Sequence, residues 1–306
     1  MLEEQHNLKS WFYLAPAMVL LALFIFYPIF NSILLVFLQD YQYLMGTFDG
    51  FTLTENFRYI FDDANFWLAL GNTMLITFVS VPISVLIALL ISVWLNAIPQ
   101  KRIQGFFQTV FFLPYVTNAI AIGMAFAFLF NQHYGLINWF LALFGVSPIN
   151  WVGMGANWGN AMFTLLVYIT WLTLAFKIIV FLSGLQGIDK QYYEAARVDS
   201  ASRARIFRRI TIPLLSPMIM YITITSFIGA FKAYTEVIGM FGERMGPPGN
   251  DNAMITMVAL VYQRLDESAR TGALSEAAAA ALILFAISLV FTYVNWQVSK
   301  KRVHYG

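Results

Sequence analysis

Gly187–Pro213, GIDKQYYEAARVDSASRARIFRRITIP, decides the fold. It is the longest polar interval in the second half of a very apolar chain. Six cations, Lys190, Arg197, Arg203, Arg205, Arg208 and Arg209, face only three carboxylates, Asp189, Glu194 and Asp199. Long hydrophobic runs flank it on both sides. A charged break between two such runs must lie in water or at a membrane surface, because ionised side chains are costly inside hydrocarbon.

Working outward, the composition agrees. Of 306 residues, 59% are hydrophobic and only 11% charged, against about 25% charged in a soluble domain. With 29 Phe, no water-soluble core could hide the remainder, so the chain reads as an all-α integral membrane protein. A net charge of +2 gives no sign of nucleic-acid binding. The absence of cysteine excludes disulfides, thiol catalysis and cysteine metal sites. His6, His133 and His304 are scattered without ligand spacing, so no metal or cofactor is expected. The first apolar run is longer than a signal-peptide core of about 7–15 residues and reads as a retained helix.

A spanning helix needs about 20 mostly apolar residues, and six segments qualify. They are Trp11–Leu38, Leu70–Leu95, Phe106–Phe130, Asn160–Ser183, Leu214–Met240 and Ala273–Gln297, in one transmembrane domain covering 1–306. Pro16, Pro28, Pro82, Pro114 and Pro217 fall inside them as expected kinks, tolerated where neighbouring helices satisfy the freed carbonyls. Lysine and arginine bias sets orientation. Twelve cations, among them Lys9, Lys101, Arg102, Lys300, Lys301 and Arg302, fall on the side of the opening stretch, and four, Arg58, Arg244, Arg264 and Arg270, on the other. Both termini and 184–213 are therefore expected to be cytoplasmic. The external loops are Gln39–Leu68, Asn131–Gly159, with Trp139, Trp151 and Trp158 suited to an interfacial belt, and Gly242–Gly272, with its GPPGND tip. Ala277–Ala281 reads as a small-residue face for close helix packing.

Within the opening stretch, Asp189 can cap a helix over Lys190–Val198. Lys190, Glu194 and Arg197 have the spacing for surface ion pairs. Ala195 and Ala196 leave one side bare enough to seat in a groove. Asp199 is expected to cap a second helix, whose apolar stripe is Ala201, Ala204, Phe207, Ile210 and Leu214. An amphipathic loop with arginines on lipid phosphates is the alternative reading of the same residues.

The run Glu194-Ala195-Ala196-Arg197-Val198-Asp199-Ser200-Ala201, continuing to Ile210-Thr211-Ile212-Pro213, resembles the EAA loop of ABC importer permeases. The family usually has glycine where Ser200 stands. WFYLAPAMVLLALFIFYPI, ENFRYIFDDANFWLALGNT, GLQGIDKQYYEAARVD and SFIGAFKAY resemble the carbohydrate-type subfamily of maltose and glycerol-phosphate permeases, so the similarity covers nearly the whole chain. The resemblance implies a type I ABC importer permease fold with six transmembrane helices. The short helix would be a coupling helix in a cleft of a cytoplasmic ATPase, with Glu194, Ala195, Ala196, Asp199, Ser200 and Ala201 as its coupling residues. It further implies a second, similar permease, two ATPase subunits, an external solute-binding protein, a sugar or polyol cargo and a bacterial or archaeal cell membrane. Consistently, the chain lacks any G-x-x-x-x-G-K-[ST] phosphate loop. It is expected to be a transport subunit and not an enzyme, without catalytic residues.

Polar residues inside spans are candidate cargo contacts. The fourth span offers Trp171 as a stacking platform with Thr173 and Lys177. The fifth offers Ser226, Lys232, Tyr234 and Glu236, and the third Tyr115, Thr117 and Asn118. Lys177 is read as snorkelling to the cytoplasmic end. Lys232 and Glu236, four apart, either bind cargo or pair with each other. By resemblance to the maltose permease, the sugar-contact positions are Leu172, Thr173, Phe176, Ser226, Ala230 and Ala233, with alanines where the family has asparagines. The expected cargo set is Trp171, Thr173, Phe176, Ser226, Lys232 and Tyr234. An ion-coupled secondary transporter or channel is the alternative. It predicts repeated halves with broken helices in matching places, which the sequence does not reveal.

Overall fold

The computed structural model describes residues 7–300. His6, Lys301, Arg302 and His304 lie outside them, as do the side chains of Lys9 and Lys300. The described residues are mostly helical, with one short hairpin and several irregular loops, and the chain divides into two compact units, described in turn.

The larger unit comprises Asn65–Ala259 and the chain from Leu284 on. Its long helices are α4 (Ala64–Asn96), α8 (Trp158–Gln186) and the second part of α14 (Ala273–Lys300). α10 (Arg203–Ile206) runs through a π turn at Phe207–Thr211 into α11 (Ile212–Phe231). α4, α8 and α11 share a core of Leu89, Leu95, Ile178, Phe181, Leu185, Leu215 and Ile222. Ser92 Oγ donates to the Ala88 and Ile178 carbonyls at 2.7 and 3.0 Å, tying α4 to α8. The first part of α14 belongs to the smaller unit, and there Ala277, Ala279 and Ala280 are buried, as a close-packing face requires.

Two spans depart from expectation. The third is two helices, α5 (Lys101–Val116) and α6 (Ala119–Leu129), bent by 101°. The break is not at Pro114, which stays inside α5. It falls at Thr117 and Asn118, both extended, where the Asn118 side chain caps α6 by accepting from Ile120 N. The fifth span starts at Arg203 and stops at Phe231. After Lys232–Tyr234 the chain turns into a separate helix, α12 (Thr235–Phe241). Asp199 therefore does not cap the second cytoplasmic helix; it closes the first, and Ser202 Oγ caps the second by accepting from Arg205 N. That second helix is the foot of the fifth span.

α6 and α12 cross with almost no space between them. A Cβ on Gly123 would lie 2.6 Å from the Gly239 carbonyl carbon, and one on Gly239 would lie 2.9 Å from the Ile120 Cα. Glycine on both helices permits this approach. After α12, the loop that reads as external returns inside. Met254, Ile255 and Thr256 are fully buried. Asn72 Nδ2 donates to the Ala253 and Ile255 carbonyls, Thr73 Oγ1 accepts from Met257 N, and Thr256 Oγ1 donates to the Ala233 carbonyl at 2.6 Å. The buried side chains of Asn72, Thr73 and Thr256 have thus each found a partner.

The smaller unit comprises the chain up to Ala64 and Leu260–Ile283. It contains α1 (Asn7–Leu21), a π turn at Ala22–Phe26 and α2 (Tyr27–Leu35). The hairpin pairs β1 (Leu38–Gln39) with β2 (Gly50–Phe51), and α3 (Glu55–Asp62) follows. Both π turns among the described residues end two residues before a proline, Pro28 or Pro213. Proline has no N–H and its ring crowds the preceding turn; a wider turn accommodates both. The end of α13 (Met257–Asp266) and the start of α14 carry an ion network. Arg264 pairs with Asp63, Glu267 and Glu276, and Arg270 with Glu267 and Glu276. The hydrogen-bonded Glu276 carboxylate raises the pKa of the Arg270 guanidinium above its ordinary value.

Candidate functional site

The cavity that the broken helices frame has about 410 Å³, within the range of small-molecule sites. α8 supplies Ile169, Leu172, Thr173, Phe176 and Lys177. Those positions recur at three- and four-residue steps, so one face of the helix is given to the cavity. α11 contributes Thr225, Ser226, Gly229 and Ala230; Ala233 and Glu236 follow from the break and from α12. α4 adds Ser80 and Val81; Pro114, Tyr115, Thr117 and Ala119 come from either side of the α5–α6 break. The Tyr115 and Phe176 rings stack at 5.9 Å between centroids, and Phe112 stacks on Tyr115 at 5.3 Å. Tyr168 Oη donates to the Ala119 carbonyl at 2.5 Å, holding the start of α6 to α8.

The expected cargo set divides. Thr173, Phe176 and Ser226 line the cavity, as do Leu172, Ala230 and Ala233. Trp171 does not. It precedes Leu172 by 100° of helix rotation and opens with Phe126 onto a separate groove between α6 and α8, the two rings 5.4 Å apart. Lys232 follows the end of α11 and is exposed, and Tyr234 precedes α12 half-buried. Neither lines the cavity. Lys232 and Glu236 form no ion pair among the described residues; Glu236 Oε2 accepts instead from Tyr234 N at 3.3 Å. The break at Lys232 interrupts the helical register in which the pair would have faced each other.

Lys177 also departs from the snorkelling expected of it. Its side chain is only 4% exposed. Nζ donates to Ser84 Oγ at 2.6 Å and to Thr173 Oγ1 at 2.9 Å. The hydroxyls on α4 and α8 draw it inward. Ser80 and Ser84 were missed because serines in spans usually bond their own backbone. Their four-residue spacing was the available signal, and it places both on one face of α4.

The short polar helix is α9 (Lys190–Val198), between α8 and α10. Asp189 caps its start by accepting from Gln191 N at 2.9 Å. At its end Ala201 N donates to the Ala196 carbonyl and Ser200 N to the Arg197 carbonyl, both at 3.0 Å. This is a Schellman closure. It requires a left-handed residue at Ser200, whose φ is +53°. The expected bare face is split. Ala196 turns inward, while Glu194, Ala195 and Val198 are exposed, Val198 at 85%. The Lys190–Glu194 and Glu194–Arg197 spacings are not closed as ion pairs among the described residues.

Comparison with known proteins agrees with this architecture. The lactose transport system permease protein LacF of Rhizobium radiobacter is 34% identical over 258 residues, 84% of this chain and 83% of its own. The trehalose/maltose transport system permease protein MalF of Thermococcus litoralis is 27% identical over 287 residues, 94% of this chain and 92% of its own. A bacterial alginate ABC transporter, solved in complex with an alginate pentasaccharide-bound periplasmic protein, has a chain of the same fold. Its TM-score is 0.81 at 19% identity, over 99% of this chain and 97% of that one. Residues 80–302, which hold the cavity, both broken helices and α9, match the family described as binding-protein-dependent transport system inner membrane component. With five long apolar helices and one bent pair among the described residues, this multi-pass membrane chain belongs to that family, as a transport subunit of an ABC importer and not an enzyme.

Proposed function

We propose that the chain is one of two permeases through which an ATP-driven importer moves a saccharide, and that the whole chain acts as a single permease domain. Two cytoplasmic ATPase subunits hydrolyse the nucleotide, a second permease completes the path, and an external solute-binding protein delivers the cargo. Both termini and α9 face the cytoplasm. The relatives are named for lactose and for trehalose and maltose, and the fold neighbour was solved with a periplasmic protein.

One observation carries the reading. α9 is closed at both ends, exposes Glu194, Ala195 and Val198, and is joined on either side to the helices that line the cavity, α8 and α11. A push on α9 is therefore a push on both walls. Closure of the ATPases on ATP would draw α9 towards its counterpart in the second permease and open the cavity outward. Product release would return it. Coupling of this kind needs a rigid element with two positions. The stacked Tyr115 and Phe176 rings suit the apolar C–H face of a sugar, and Thr173 and Ser226 its hydroxyls.

The test is co-purification with the candidate partner chains, followed by ATP-dependent uptake in liposomes. Glu194→Lys should abolish ATPase association and uptake while leaving the permease pair intact. Association and uptake unaffected by Glu194→Lys would refute the role of α9.

A further inference from the structure

The saccharide reading leaves Lys177 unexplained. Its ammonium is buried on a helix long and apolar enough to cross a membrane. A charge there is costly unless it is paired or used. Both of its partners, Ser84 and Thr173, are neutral hydroxyls. The ion pairs found among the described residues all involve other groups. Ser84 is itself fixed, because its Oγ donates to the Val81 carbonyl at 3.0 Å and so turns a lone pair to the ammonium. The two hydroxyls orient the head without neutralising it. An ammonium has three donors, so one remains, on a side chain that lines the cavity.

Glu236 lines the same cavity from α12 and is engaged by Tyr234 N, with no bond to Lys177. The walls thus hold a cation on α8 that forms no ion pair among the described residues, the Glu236 carboxylate on α12 and the Tyr115 and Phe176 rings. We propose that Lys177 is a specificity-determining residue that binds an anionic substituent of the cargo, so that the cargo is an acidic saccharide bearing a carboxylate, as in a uronic acid unit. The carboxylate completes the charge that Ser84 and Thr173 leave open. The sugar hydroxyls donate to Glu236, and the C–H face lies on the rings. A neutral sugar would leave the buried ammonium without an anion in contact. This inference rests on the saccharide reading and deepens it.

The test uses the complete transporter in liposomes, with ATP-driven uptake of digalacturonate and of its neutral counterpart galactobiose measured in competition. The wild type is expected to prefer digalacturonate. Lys177→Met should lower the acidic-to-neutral ratio about tenfold, since a hydrogen bond to a charged group is lost. Lys177→Arg, which keeps the cation, should retain much of the ratio. The binding protein is the same throughout, so any change belongs to the cavity. An unchanged ratio in Lys177→Met, or a wild type that takes up only galactobiose, overturns the proposal and leaves the saccharide reading standing. Uptake of neither sugar overturns that reading and this inference with it. If Lys177→Met fails to assemble, the wild-type and Lys177→Arg ratios decide: preference for galactobiose in both refutes the proposal.

Discussion

Ser200 shows how much a single residue can carry. Its φ of +53° is forced by the closure of α9, and a side chain there costs about 1 kcal/mol relative to glycine. Ser200→Gly is therefore expected to raise the thermal stability of the assembled complex slightly while leaving uptake intact. Ser200→Val should lower it, because a β-branched residue fits this region worst. A thermal melt of the purified complex distinguishes the two. Gly123 and Gly239 are less forgiving. A Cβ at either would overlap backbone, not a flexible side-chain tip. Gly123→Val should destabilise by about 1–3 kcal/mol, read as reduced folded yield and a lower melting temperature, while Gly105→Val, where nothing lies within 4 Å, should be nearly neutral.

At the scale of elements, the ion network of the smaller unit holds the α13–α14 turn. Arg264 and Glu276 are largely buried, and Glu276→Gln takes one charged partner from both Arg264 and Arg270, which keep Asp63 and Glu267. The substitution is expected to cost about 2 kcal/mol, visible as faster hydrogen exchange across residues 264–276. Sequence revealed the spans and α9 because each announces itself locally, by about 20 apolar residues or by Asp189 before a charged amphipathic turn. It did not reveal the breaks at Asn118 and Lys232. Asn118 caps a helix that is apolar throughout, so periodicity carried straight through it. The run from Arg203 into α11 was likewise masked, because its arginines look like a surface loop while its backbone belongs to the span. The cavity was half legible. Thr173, Phe176 and Ser226 repeat with the helix and stay on its face, whereas Lys232 and Tyr234 were placed by extending α11 past its true end. Lys177 was misplaced because its distance from the helix end was visible and its partner Ser84, 93 residues away, was not.

Across the whole molecule, two chemically distinct places are joined through the backbone. α9 presents Glu194 and Val198 outward, and α8 and α11, which flank it, line the cavity. Val198→Glu, at a side chain 85% exposed, should cost the free permease little and still weaken ATPase association, an effect expected of a docking surface and not of a solvated loop. Pull-down of the ATPase subunits against the unchanged permease pair measures it.

The chain has no cysteine, so a single one introduced in the cavity reports without background from this subunit. The most direct measurement is labelling of Ser226→Cys by a membrane-impermeant maleimide added outside liposomes that hold the complete transporter, with and without trapped ATP. The account predicts that trapped ATP raises the labelling and that adding Glu194→Lys abolishes the rise. Labelling indifferent to nucleotide, or a rise that survives Glu194→Lys, would contradict coupling of α9 to the cavity.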